Sequence, residues 1–153
     1  MSLNVIALGG NAILDKDPSD SGQKAVVAQA AKYIADFVEK GEQVILCHGN
    51  GPQVGNLLLQ QKAAESEKNP QLKLDTCVAM TQGSIGYWLQ HALTNEFAQR
   101  DVPQSVISLI TQVRVDKNDP SFQKPSKPIG PFYDKEEAEA AMAKTGGVYQ
   151  EDA

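Results

Sequence analysis

Gln43-Val44-Ile45-Leu46-Cys47, followed without a break by His48-Gly49-Asn50-Gly51-Pro52, decides the architecture. The apolar run has the length of a buried strand and is too short for a helix, and the glycine-rich stretch behind it reads as a tight turn. Pro52 suits the first turn of a following helix, where a missing N–H leaves no intrahelical bond unmade. Strand, glycine turn and helix in that order form the unit from which parallel sheets with helical cover are built.

The same unit appears upstream. Asn4-Val5-Ile6-Ala7-Leu8 is a short apolar run ending in Gly9-Gly10. Between the two strands, after a polar stretch from Asp15 to Gly22, apolar residues recur at Val26, Val27, Ala30, Ile34, Phe37 and Val38. That spacing predicts a helix over 23–40, with Gly41 where a C-terminal cap belongs. Downstream, a helix is expected from Gln53 to about Glu67, followed by a polar loop around Asn69-Pro70. A long helix then runs from a cap at Asp75 or Thr76 to about Arg100, burying Val78, Ile85, Leu89, Leu93 and Phe97. Tyr87 and Trp88 on that helix read as core or interface rather than as a ligand stack. Gln104 to Val115 is rich in β-branched residues and is expected to be a third strand.

Residues 116–133 differ in character, with prolines at 120, 125, 128 and 131, and are expected to protrude as a small subdomain. Asp134-Lys135-Glu136-Glu137 has the form of a capping box opening a short helix to about Lys144, ended by Gly146-Gly147. Three strands make a narrow sheet, and apolar runs of this kind imply cover on both faces. The chain is therefore expected to be a truncated part of a larger fold.

Composition excludes several classes of function. Of the 153 residues, 41% are hydrophobic and 22% charged, which is ordinary for a packed globular domain. The net charge of −5 provides no basic face for nucleic acid or anionic membrane. No apolar run approaches the roughly 18 residues of a membrane span, and Met1–Asn4 opens no secretory signal. Cys47 and Cys77 fit no metal spacing and read as buried or half-buried free thiols. The two histidines, His48 and His91, form no ligand pattern. No metal site is expected in the chain, and a cytoplasmic setting is.

The chemistry-bearing features are the two glycine turns. Each follows a strand, and in open α/β sheets ligands bind beyond the C-terminal strand ends. Glycine there lets an anion approach backbone N–H groups, and a helix N-terminus adds a favourable dipole. If the two strands are neighbours, both turns open on one site, with Asn11 and Asn50 as uncharged amide donors. The alternative that each is merely a turn stays open, as does a dinucleotide-binding turn built on Gly49, Gly51 and Gly55. No Walker-type loop occurs. Lys127, stiffened by flanking prolines, is either a solvated surface lysine or a cation offered to a distant anion.

Four strings, Val5-Ile6-Ala7-Leu8-Gly9-Gly10-Asn11-Ala12, His48-Gly49-Asn50-Gly51-Pro52-Gln53-Val54-Gly55, Met80-Thr81-Gln82-Gly83-Ser84-Ile85-Gly86-Tyr87 and Lys127-Pro128-Ile129-Gly130, together resemble the carbamate kinases of the amino-acid kinase superfamily. The resemblance extends over essentially the whole chain. It implies a three-layer αβα sandwich with a mainly parallel sheet, of which residues 1–153 are the N-terminal, carbamate- and phosphate-binding half. The nucleotide-binding half would then lie outside this chain. It further implies a homodimer, ATP/ADP with Mg²⁺, and reversible phosphoryl transfer between ATP and carbamate, running toward ATP in arginine fermentation. On that basis Gly9, Gly10 and Asn11 would contact the transferred phosphoryl group. Gly49, Asn50 and Gly51 would line the carbamate side, and Lys127 would reach in as the catalytic cation. Ala7 stands where many amino-acid kinases carry a first-strand lysine, which favours the carbamate branch over the rest of the superfamily. A non-catalytic dimerisation half remains an alternative of another class.

Overall fold

A computed structural model describes residues 2–10, 13–14, 16–127 and 132–149. The order of elements is β1 (Leu3–Leu8), α1 (Asp20–Glu39), β2 (Gln43–His48), α2 (Gly51–Ala63), α3 (Leu74–Gln99) and, past a 3₁₀ turn at Pro120–Phe122, α4 (Lys135–Thr145). The two strands pair in parallel, with Leu3 opposite Gln43 and Leu8 opposite His48. The apolar runs thus form a βαβ unit, with α1 as the crossover.

Along both strands exposure alternates. Ile6, Leu8, Val44 and Leu46 turn toward α1 and α3, where two apolar clusters form around Ala31, Ile34, Leu93 and Phe97 and around Ile13, Val27, Ile85 and Leu89. Leu46 touches both clusters. On the other face Leu3, Val5 and Ile45 are 58%, 66% and 49% exposed, so the described residues cover the sheet on one side only. Cys47, expected to be buried or half-buried, is exposed because its register position falls on that open face. Cys77 is buried as expected, and burial pushes its thiol pKa up.

The helices follow their local signals with small shifts. α1 starts three residues before the apolar stripe requires, because Ser19 caps it by accepting from the Gly22 N–H at 3.1 Å. The long helix takes Lys73 as its cap position without a side-chain bond, so neither Asp75 nor Thr76 performs that role. At the far end Arg100 bonds Asp36 at 2.5 Å, Glu39 at 3.2 Å and Glu96 at 2.8 Å, tying α1 to α3. Asp134 and Glu137 form the expected capping box, and Gly146 closes α4 in the left-handed region at φ 68°.

The expected third strand is not paired. Residues 104–115 make no backbone ladder, and two of them, Ser108 and Thr111, bond α3 instead. The Thr111 N–H donates to Gln82 Oε1 at 2.8 Å, and Ser108 Oγ donates to the Gly86 carbonyl at 2.9 Å. Gly86 permits this approach: a Cβ there would lie 3.0 Å from Ser108 Cβ. Within the expected subdomain, Asp119 caps the 3₁₀ turn by accepting from the Ser121 N–H. Pro128, Ile129, Gly130 and Pro131 lie outside the described residues.

Candidate anion site at the strand ends

Because β1 and β2 are parallel neighbours, both glycine turns leave the same edge of the sheet. The ladder continues one step beyond the strands, with the Gly49 N–H donating to the Leu8 carbonyl at 2.8 Å. Gly49 therefore pins the second turn to the end of β1 and has no N–H to offer a ligand.

The turns touch, and each needs the other's glycines. A Cβ built on Gly49 would sit 3.1 Å from the Gly10 nitrogen, covering that N–H. A Cβ on Gly10 would lie 2.8 Å from Pro52 Cδ, 3.2 Å from the Gly51 nitrogen and 3.5 Å from the Asn50 nitrogen. The bare backbone thus keeps the N–H groups of both turns open to an incoming group. The N–H groups of Gly9 and Gly10 enter none of the turn or loop hydrogen bonds among the described residues. Gly51 opens α2, where an N–H has no intrahelical acceptor, and Asn50 provides no side-chain cap. These N–H groups and the positive end of the 13-residue α2 form a concave donor set suited to an anion such as a phosphoryl group.

The structure brings together Gly9, Gly10, Gly49, Asn50 and Gly51. The Asn50 amide donates to Thr81 Oγ1 at 2.7 Å, so one of its donors faces α3 rather than a ligand. Asn11 lies outside the described residues. Lys127 is exposed and has no hydrogen bond or ion pair with other described residues. Gly55 has nothing within 4 Å of a built Cβ. The close helix–strand packing that the third glycine of a dinucleotide turn exists to permit is therefore missing.

Residue-level reading of the sequence did not single out Gln23, Gln53 and Thr81, the buried polar side chains among the described residues. All three lie beneath the turns. Gln53 and Thr81 belong to two of the strings quoted above, which was the available signal; Gln23 belongs to none. Among the described residues no group of three or more His, Cys, Asp or Glu side chains lies together that could hold a metal ion. No helix among them is long and apolar enough to cross a membrane.

Residues 2–142 match the model of the amino acid kinase family. The chain is 80% identical, over its whole length, to Carbamate kinase 2 of Enterococcus faecalis, covering 49% of that protein. It is 53% identical to Carbamate kinase 1 of Enterococcus faecium over 97% of the chain and 48% of the relative. Among solved structures, a carbamate kinase from Giardia lamblia bound to AMP-PNP superposes with a TM-score of 0.89 at 40% identity, covering 99% of this chain and 48% of that one. The chain spans about half the length of the curated relatives it matches.

Proposed function

The chain belongs to the amino acid kinase family, and we propose that it forms the carbamate-side half of a carbamate kinase, catalysing reversible phosphoryl transfer between ATP and carbamate. The observation that carries this reading is the contact between the two glycine turns, which leaves N–H groups of both bare at one point. Similarity to carbamate kinases selects the substrate from among those an anion site would accept.

Carbamate is already an anion, so its oxygen attacks without a base to deprotonate it. The task of the protein is to hold two anionic reactants in line and to stabilise charge spreading over the phosphoryl oxygens. Gly9, Gly10 and Asn11 are assigned to the transferred phosphoryl group, and Gly49, Asn50 and Gly51 to the carbamate side. Gly49 acts there by leaving room and Gly51 by donating. Lys127 is assigned as the cation that reaches in from the subdomain at about 116–133. The adenine nucleotide and Mg²⁺ are held by residues other than those described. A homodimer in the cytoplasm, working toward ATP in arginine breakdown, completes the reading.

The test is ATP formation from carbamoyl phosphate and MgADP, by this chain and by a protein of the relatives' full length that carries it. Activity in the longer protein alone supports the assignment of halves. Activity in both keeps the reaction and removes that assignment. A folded but silent longer protein overturns the function.

A further inference from the structure

We propose that Gln53 and Gln23 are positioning residues that lock the first glycine turn to α2 and α1. Both side chains are 7% exposed. Gln53 Nε2 donates to Gln23 Oε1 at 3.0 Å and lies 3.5 Å from the Gly10 carbonyl oxygen. Gln23 Nε2 donates to the Pro18 carbonyl at 3.0 Å. The amide orientations follow from the partners. Two acceptors face one end of Gln53, so its nitrogen must point there. A carbonyl faces one end of Gln23, which leaves its oxygen toward Gln53.

The resulting chain of donors runs from Gln53 through Gln23 to the entry of α1. The Gly10 carbonyl also accepts from the Ile13 and Leu14 N–H groups, both at 3.2 Å. With three donors on that carbonyl, the end of the first turn is anchored to α2 as well as to Ile13 and Leu14. Gln53 Oε1 is buried with no partner among the described residues. A buried polar atom left unsatisfied is unfavourable. A volume-matched apolar residue would avoid that penalty, so a glutamine here is explained by what its nitrogen holds.

This inference rests on the reading of the turns as the substrate site, but its first test does not use activity. In Gln53→Met, a nearly isosteric change, exchange of the hydrogen-bonded Ile13, Leu14 and Gly49 amides should quicken at least tenfold, while the cores of α1 and α3 keep their rates. Gln53→Met alone leaves Gln23 Oε1 unpaired, so Tm should fall. Adding Gln23→Met removes the orphaned group and should restore part of the lost Tm, with the turns still exchanging fast. In an active full-length protein, kcat should fall about tenfold or more in both variants. Unchanged exchange in the turns overturns the proposal. So does a double variant in which exchange and kcat recover together with Tm, since the pair would then be structural only. An inactive unmodified protein removes the carbamate kinase reading and leaves the exchange result to decide the tether.

Discussion

At the scale of the residue, the glycines are defined by their neighbours rather than by their own flexibility. Gly10 is not needed for a positive φ; it is needed because any side chain there would strike Pro52. Gly10→Ala should destabilise the chain by about 1–3 kcal/mol, as overpacking does, and should separate the turns; chemical denaturation measures the first effect. Lys127 belongs to this scale too. Its exposure is consistent with a side chain that finds its anion only when substrate is present. Lys127→Ala in an active full-length protein should lower turnover by at least about tenfold, and by about 100-fold if it contacts the transferred group. Its denaturation midpoint should not move. Unchanged kinetics would remove Lys127 from the mechanism.

At the scale of the element, stability depends on which side of a strand or helix a residue occupies. Ile45 and Leu46 are adjacent, yet Ile45 lies on the open face and Leu46 joins both core clusters. Leu46→Ala should therefore cost about 2–4 kcal/mol, whereas Ile45→Thr should stay within about 0.5 kcal/mol in this chain. Equal losses from the two would mean that the face read as open is covered. For α4, a helix of 11 residues, the reciprocal Asp134–Glu137 cap satisfies backbone N–H groups at its start. Asp134→Ala should lower stability by about 1 kcal/mol and reduce helical signal, read by circular dichroism, without affecting the α1–α3 pair.

At the scale of the whole molecule, the described residues form one sheet with helices on one face. The opposite face presents Leu3, Val5, Ile45 and Cys47, and further exposed apolar residues follow at Ile107, Leu109 and Val113. The two thiols report on this layout. Cys47 should react rapidly with a thiol reagent, while Cys77 should react only on unfolding. Burial both blocks Cys77 and raises its pKa, so less thiolate is present at any pH near neutrality. In a protein of the relatives' full length, slow labelling at Cys47 would place a second helical layer over the sheet. Rapid labelling there would count against the three-layer assignment.

The sequence by itself determined the alternation of strand, glycine turn and helix, because apolar period, caps and glycine placement are local properties. It also carried the α4 capping box and most of the buried face of α3. Tertiary structure decided the rest. Whether 104–115 formed a strand depended on a neighbouring strand to pair with, and the described sheet pairs only β1 with β2. Whether Cys47 was buried depended on what covers one face of the sheet. The two glycine turns could be read as one site only after β1 and β2 were paired in parallel and in register. Contact across 43 residues, such as that between Gln53 and Gly10, has no local signature, since the hydrogen bond exists only once the chain has closed.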